Sequence, residues 1–184
     1  MKVLIDACVL YPTVMREMVI GTARAGLFTP LWSPRILEEW ARAAAKLGSG
    51  QEGLARSEIA ALEADWPSAS IAPRAADLGR LHLPDENDIH VLAAAIAGSA
   101  DAIMTLNTKD FPRHVLGEEG LARVVPDLFL LSLLGEDEAA MVGVAAHVRD
   151  EAERLSGETW PFRKLMKKAR LPRLGKALEA HDRA

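Results

Sequence analysis

Cysteine is almost absent from this sequence, which has one, Cys8, in 184 residues. An intrachain disulfide is therefore excluded, and such cysteine usage is typical of proteins in a reducing compartment. The apolar stretch at the start ends at Asp6, which is too early for a secretory signal peptide. No stretch reaches the ~18 uninterrupted apolar residues that indicate a membrane span. Together these absences predict a cytoplasmic protein that does not enter a membrane.

Acidic residues are missing from residues 159–178, although the whole chain has 26 of them against 22 basic residues. The seven basic residues of that segment are Arg163, Lys164, Lys167, Lys168, Arg170, Arg173 and Lys176. Removing them leaves 15 basic residues against 26 acidic ones, a net charge of −11 for the remainder. A basic segment on an acidic protein is a candidate surface for a polyanion. The alternative interpretation is an amphipathic helix with a solvated charged face.

The motifs of two common site classes are also missing. No G-x-G-x-x-G follows the first apolar run, which disfavours a dinucleotide-binding enzyme. The histidines show no i,i+4 pairing and have no cysteine partners, which disfavours a zinc site. The five histidines are His82, His90, His114, His147 and His181.

Short apolar runs alternate with helical patterns along most of the chain. Runs near residues 3, 30, 70, 103 and 124 predict strands, because strands buried on both faces of a sheet are continuously apolar. The alternation predicts an α/β fold with a doubly wound, mainly parallel sheet of about five strands flanked by helices. Strand signals stop after Gly135. We therefore expect one domain over residues 1–130 and an all-helical appendage over residues 131–184.

Carboxylates follow two of the predicted strands. The strand near residue 3 runs directly into Asp6, and Asp110 follows the strand near residue 103. In open α/β sheets the functional crevice lies outside the carboxyl ends of the strands. We therefore expect Asp6 and Asp110 to share one site.

Two further acids belong to predicted helices. Asp88 lies in the first turn of an alanine-rich helix, after Asp85, which can cap that helix. On a helix predicted for residues 34–47, Glu38 and Glu39 are about 100° apart, so one of them lies near the core. Periodicity leaves open which of the two it is. Each of these acids also has a structural explanation, as a cap or a surface residue, so the functional argument rests on the set.

Clustered carboxylates need a cation. Two negative charges roughly 4 Å apart repel by about 1 kcal/mol in water and about 4 kcal/mol at an effective dielectric of 20. Hard divalent cations such as Mg²⁺ or Mn²⁺ suit oxygen ligands of this kind. The sequence therefore predicts a divalent metal site built from Asp6, Glu39, Asp88 and Asp110.

The ordered set of motifs resembles the PIN domain. Its parts are Leu4-Ile5-Asp6-Ala7-Cys8-Val9-Leu10, Ser33-Pro34-Arg35-Ile36-Leu37-Glu38-Glu39, Asp88 at the head of an alanine-rich helix, and Thr105-Leu106-Asn107-Thr108-Lys109-Asp110-Phe111. More narrowly, it resembles the VapC-type ribonuclease toxins of bacterial toxin–antitoxin pairs over about residues 1–130. Residues 129–181 are similar to a C-terminal extension in one branch of those toxins.

The resemblance implies roles for individual residues. The implied acidic quartet is Asp6, Glu39, Asp88 and Asp110. Glu39 is preferred over Glu38 because the family glutamate falls six residues after a small polar residue, here Ser33. Mg²⁺ or Mn²⁺ would be held by Asp6, Asp88 and Asp110, and the carboxylates would be fixed through hydrogen bonds by Thr105 and Asn107. Many family members have asparagine at the position of Cys8 and aspartate at that of Asn107, so one metal or two stays open.

The resemblance also implies an activity and partners. The activity is metal-dependent hydrolysis of RNA to products with 5′-phosphate and 3′-hydroxyl ends. The partners are an antitoxin protein, whose tail enters the acidic cleft, and a second copy in a homodimer. The basic segment would then contact RNA phosphates through Lys164, Lys167, Lys168 and Arg170.

Two other functions are considered. A phosphatase or phosphotransferase could use Asp6, but the haloacid-dehalogenase type needs a second acid two residues later, where this chain has Cys8. A regulatory module with little catalysis could use the acids to bind a structural ion or a basic partner.

Overall fold

Four parallel strands form the sheet of this protein in a computed structural model that describes residues 1–181. The strands are β1 (Lys2–Ile5), β2 (Thr29–Leu31), β3 (Ala102–Met104) and β4 (Ala122–Val124). Their order across the sheet is β2-β1-β3-β4, so β1 lies between its two neighbours with Val3 opposite Pro30 and Ala102. Because every pair is parallel, all four carboxyl ends meet at one edge. The predicted parallel α/β fold is confirmed.

The predicted strand near residue 70 forms only an isolated parallel bridge between Trp32 and Ser70. Two hydrogen bonds support this bridge, from Trp32 N to the Ala69 carbonyl (3.0 Å) and from Ile71 N to the Trp32 carbonyl (2.8 Å). Pro73 follows and has no N–H to extend a ladder. The sheet therefore ends at β2 on that side.

Helices make up most of the remaining described residues. They are α1 (Ala7–Leu10), α2 (Thr13–Arg24), α3 (Pro34–Ala45), α4 (Gln51–Asp65), α5 (Ala75–Arg80), α6 (Ile89–Ala97), α7 (Arg113–Glu118), α8 (Pro126–Glu136), α9 (Glu138–Ser156), α10 (Phe162–Lys168) and α11 (Pro172–Leu178). Two 3-10 turns lie at Glu86–Asp88 and Glu179–His181. The predicted C-terminal helical region is confirmed. No described helix combines the length and apolar character needed to cross a bilayer.

The chain divides into two compact units. The first contains Met1–Tyr11 and Thr29–Val124, and therefore the whole sheet. The second is helical and contains Pro12–Phe28 together with the described residues from Val125 onward. The predicted domain boundary between residues 130 and 131 stays a prediction. The division between the compact units falls a few residues earlier, after Val124, and the helical unit also includes α2.

The core of the first unit explains the position of its helices. Val3, Leu4 and Ile5 of β1 are completely buried, as expected for a strand covered on both faces. The small residues Ala93–Ala95 of α6 are also fully buried, and α6 packs on β1 and β3. Small side chains allow this close approach. The start of α6, which carries the predicted acid Asp88, is fixed by that packing.

The core of the second unit includes a close contact between α10 and α11. Gly175 of α11 is buried, and a Cβ at this position would lie 2.7 Å from Met166 Cβ. The buried Asp127 carboxylate accepts hydrogen bonds from the N–H groups of Arg173 (3.1 Å) and Leu174 (3.0 Å), which caps the start of α11. The C-terminal helices are therefore held by packing and by a buried cap.

We expect Gly175→Ala to destabilise the protein by about 1–3 kcal/mol, because real Cβ atoms do not approach other atoms as closely as 2.7 Å. Thermal denaturation measures the effect. The matched control is Gly143→Ala on the exposed face of α9, where a Cβ would meet nothing within 4 Å. The control should be neutral or stabilising by up to about 1 kcal/mol, because alanine favours helix. Equal melting temperatures for the two variants would contradict this packing.

Candidate metal centre

Asp6 is positioned by β1. Its backbone N–H donates to the Met104 carbonyl (3.0 Å), which continues the ladder one residue beyond the strand. The residue is 8% exposed, and its carboxylate Oδ2 accepts hydrogen bonds from Thr105 Oγ1 (2.7 Å) and Cys8 Sγ (3.0 Å). Within the described residues, Oδ1 has no hydrogen-bond donor. One oxygen is therefore fixed and the other is free to bind a ligand.

Cys8 is a donor that sequence reasoning missed. Burial, together with the charge and hydrogen bond of Asp6, raises the pKa of the thiol to about 12, so it keeps its proton near neutrality. Its sulfur also accepts from Leu106 N (3.3 Å). No role in the site was predicted for Cys8 from the sequence. Its i,i+2 spacing from Asp6 was the signal for this contact.

Asn107 connects the two neighbouring acids. Its side-chain amide donates to Asp88 Oδ2 (3.0 Å), and its backbone N–H donates to Thr105 Oγ1 (2.9 Å). Thr105 in turn donates to Asp6, so one short hydrogen-bonded chain orients both carboxylates. Thr105 and Asn107 thus each donate a hydrogen bond to one carboxylate, Thr105 to Asp6 and Asn107 to Asp88.

Asp88 ends the 3-10 turn Glu86–Asp88, directly before α6. Burial and, after it, the negative charges of Asp6, Asp85 and Asp110 together raise the pKa of its carboxyl to about 6, against a lowering by His90. The carboxylates therefore share one electrostatic environment. The loss of a proton from Asp88 is made costly by its neighbours.

Three aspartates lie at ligand distance from one another: one carboxylate oxygen from each of Asp85, Asp88 and Asp110 lies within 4.8 Å of the others. Asp85 makes the expected cap, since its Oδ1 accepts from the backbone and side-chain nitrogens of Asn87, each at 2.9 Å. Its membership of this group was not predicted. The signal was the three-residue spacing to Asp88, since side chains at i and i+3 of a 3-10 turn lie on the same side.

Arg123 braces the loop that carries Asp110. Its Nη1 donates from β4 to the carbonyls of Thr108 (2.5 Å) and Phe111 (2.8 Å), on both sides of Asp110. Phe111 is completely buried, which anchors the end of this loop. Sequence analysis did not identify Arg123, because nothing local links it to a loop 12 to 15 residues earlier.

Glu39 lies beside the aspartates but in a different electrostatic setting. Its Oε1 accepts from Arg35 Nε (3.1 Å) and lies 3.0 Å from Nε2 of the buried His90. Neither His90 nitrogen makes a well-aligned hydrogen bond with a described residue. Burial acts to raise the pKa of Glu39, but the contacts with His90 and Arg35 outweigh it and lower the pKa. Glu38 instead pairs with Arg42 and Arg56 on the exposed side of the helix.

The four residues predicted to bind RNA lie in the second unit. Lys164, Lys167 and Lys168 belong to α10, and Arg170 follows it with a φ of 62°. All four are exposed. The ammonium groups of Lys164 and Lys168 lie 4.9 Å and 4.8 Å from the Trp160 ring centroid, a cation–π geometry.

The donor set of the aspartates fits a hard divalent cation. Every candidate ligand atom is a carboxylate oxygen, and the fixed oxygens of Asp6, Asp85 and Asp88 bond to neutral hydroxyl, thiol and amide donors. These contacts orient the carboxylates without neutralising them. A bound divalent cation would supply the missing charge balance.

A comparison with protein-family models matches residues 2–109, more than half of the chain, to a family described as PIN domain. The matched region contains Asp6, Glu39 and Asp88 and ends one residue before Asp110. No curated protein and no solved structure gives a significant match.

We expect Asp88→Asn to raise the melting temperature of the metal-free protein at pH 7. The folded-state pKa of about 6 exceeds the ordinary value of 3.8, so the folded protein binds more protons between these pH values. Its stability therefore falls as the pH rises from about 4 to about 6. The substitution removes this penalty, and the melting temperatures of variant and parent should converge near pH 4.

Differential scanning fluorimetry in a chelator measures this pH dependence. The control is Glu86→Gln, which removes an exposed carboxylate from the same turn but outside the aspartate group. It should show no pH-dependent gain. An Asp88→Asn variant that melts at or below the parent at pH 7 would show that the aspartates do not repel each other as the structure indicates.

Proposed function

Because the chain belongs to the PIN domain family, whose members are generally metal-dependent nucleases acting on nucleic acids, we propose that it hydrolyses RNA with Mg²⁺ or Mn²⁺. The single observation that carries this proposal is the gathering of Asp85, Asp88 and Asp110 within 4.8 Å. Asp6 acts electrostatically on the same group, since its charge raises the pKa of Asp88. A divalent cation bound by these carboxylates would offset their mutual repulsion.

Each predicted acid has a proposed role. Asp6, Asp88 and Asp110 would hold the metal ion, Asp6 through its free Oδ1. Asp85, which shares the 4.8 Å group with Asp88 and Asp110, caps the turn that carries Asp88. Glu39 completes the ligand set or orients the attacking water. A bound divalent ion would supply a water of lowered pKa and would offset negative charge on the phosphate.

The supporting contacts keep the ligands in place. Thr105 and Cys8 hold Oδ2 of Asp6, and Asn107 holds Oδ2 of Asp88. Hydrogen bonds of this kind fix the direction of a carboxylate toward a metal, and losing them typically lowers metal affinity about 10- to 100-fold. The ligands are thus oriented before an ion arrives.

We further propose that the protein is the toxin of a type II toxin–antitoxin pair of the VapC type. The order and spacing of the motifs support this assignment. The toxin assignment implies two partners, a cognate antitoxin protein and a second copy of the chain. It also implies a cytoplasmic location. Residues 131–184 would be the C-terminal extension of such a toxin, on a nuclease domain of residues 1–130.

The activity is tested with a mixed RNA pool and purified protein. We expect cutting in Mn²⁺, none in a chelator, and a loss of at least about 100-fold for Asp6→Asn, because a metal ligand contributes no less than the residues that orient it. The matched control is Asp101→Asn. Asp101 lies at the amino end of β3, where its carboxylate accepts from Lys2 N (2.6 Å), so this variant should keep its activity.

Absence of Mn²⁺-dependent cutting in a preparation that binds RNA would favour the binding module instead. Cutting that survives Asp6→Asn would remove Asp6 from the proposed site.

The basic residues of α10 are proposed to contact RNA phosphates. We expect the triple change of Lys167, Lys168 and Arg170 to glutamine to weaken RNA binding at low salt, with the difference shrinking at high salt, because phosphate contacts release counterions. Fluorescence anisotropy over a range of KCl concentrations measures this. A control triple change to glutamine at exposed basic residues of the first unit uses Lys2, Lys46 and Arg74. Equal binding by both triple variants would exclude the basic segment from the RNA site.

A further inference from the structure

We infer that Arg35 binds a phosphate of the RNA backbone beside the acidic site. This inference rests on the proposed ribonuclease function and adds a substrate-binding residue to it. Arg35 lies in the first turn of α3, one helical turn before Glu39. Its side chain is 54% exposed, so it is open to a ligand from solvent.

The guanidinium of Arg35 is anchored on both sides of the site. Its Nε donates to Glu39 Oε1 (3.1 Å), and its Nη2 donates to the carbonyl of Asn87 (3.2 Å). Asn87 in turn donates twice to Asp85 Oδ1 and directly precedes Asp88. Arg35 is therefore fixed to the turn that carries two of the clustered aspartates.

Anchoring leaves much of the hydrogen-bonding capacity of Arg35 unused. A guanidinium has five N–H donors in a rigid plane, and the contacts with Glu39 and Asn87 use two of them. The Nη1 group makes no hydrogen bond within the described residues. Guanidinium groups bind phosphate oxygens through two parallel hydrogen bonds. Arg35 thus presents an oriented phosphate-binding group at the edge of the site.

The negative charge of the site also favours a positively charged side chain where the RNA backbone would approach. Several carboxylates repel the RNA backbone, and a metal ion offsets only part of their charge. Four other arginines of the first unit are engaged away from the aspartates or with carbonyls: Arg42 and Arg56 pair with Glu38, Arg80 pairs with Asp77 and Glu119, and Arg123 binds two carbonyls. In the described part of this unit, Arg35 is the arginine that donates hydrogen bonds both to Glu39 and to the turn between Asp85 and Asp88.

A different role would be to hold Glu39 in place without touching RNA. The two roles differ when Glu39 is changed. If Arg35 only positions Glu39, then Arg35→Ala costs nothing further in a Glu39→Gln background. If Arg35 binds a phosphate, its removal weakens RNA binding with either residue at position 39.

The experiment measures binding of a labelled single-stranded RNA of mixed sequence by fluorescence anisotropy. Binding is measured in Mg²⁺ with an Asp110→Asn background, which blocks cutting in the proposed mechanism. We expect Arg35→Ala to weaken binding about 10- to 100-fold, the range for a charged hydrogen-bonded contact. The slope of log K against log salt should fall by about 0.7, the value for one contact on a single strand. Steady-state kinetics in the native background with Mn²⁺ should show the loss in KM.

Two further variants control the result. Arg42→Ala removes the other i,i+4 arginine–glutamate pair of α3, on the exposed side, and should change neither affinity nor slope. Arg35→Lys keeps the charge but not the planar fork, so it should show intermediate affinity and the parental slope. It also tests the inference if Arg35→Ala does not fold.

Three outcomes overturn the inference. They are an Arg35→Ala variant that binds and cuts like Arg42→Ala, an effect that vanishes in the Glu39→Gln background, and an Arg35→Lys variant with the reduced salt slope. In each case the native protein still cuts RNA, so the proposed function stands. A native protein that neither binds nor cuts RNA in Mn²⁺ overturns the proposed function itself.

Discussion

Repulsion between partly buried carboxylates is the constraint on which the candidate site depends. Asp6 directly follows the three fully buried residues of β1, and its charge acts on Asp88 together with those of Asp85 and Asp110. A protein gains no stability from such an arrangement, since burial and like charges both oppose ionisation. The fold nevertheless directs these side chains to one edge of the sheet. The destabilisation that results is explained if these carboxylates bind a cation.

The acids at this edge of the sheet have two kinds of hydrogen-bond donor, neutral and cationic. The aspartates receive hydrogen bonds from neutral donors, such as Thr105 and Asn107, which orient them and leave their charge in place. Glu39 is paired with the cationic Arg35 and lies next to His90, so its charge is largely balanced within the protein. This difference supports a division of labour, in which the aspartates hold the ion while Glu39 and Arg35 face the water and the substrate.

The local features of the chain could be predicted from its sequence, and the distant ones could not. The apolar run near residue 3 and the helical pattern of residues 34–47 predicted β1 and α3 correctly, because residues near one another in the sequence determine both signals. The short strand expected near residue 70 formed only a bridge, since its pairing depends on the partner at Trp32. The contribution of Arg123 to the Asp110 loop and the membership of α2 in the helical unit are tertiary contacts without a periodic signature.

Diffraction from crystals soaked in Mn²⁺, recorded at the manganese absorption edge, tests the central claim most directly. The anomalous difference map locates the ion independently of any activity. We expect strong anomalous density at the carboxyl edge of the sheet, bonded by Asp6, Asp88 and Asp110 at about 2.1 Å, the distance for a hard octahedral cation. A peak bound only by residues outside the group of Asp6, Asp85, Asp88 and Asp110, or no peak at this edge under saturating Mn²⁺, would contradict a metal-dependent site.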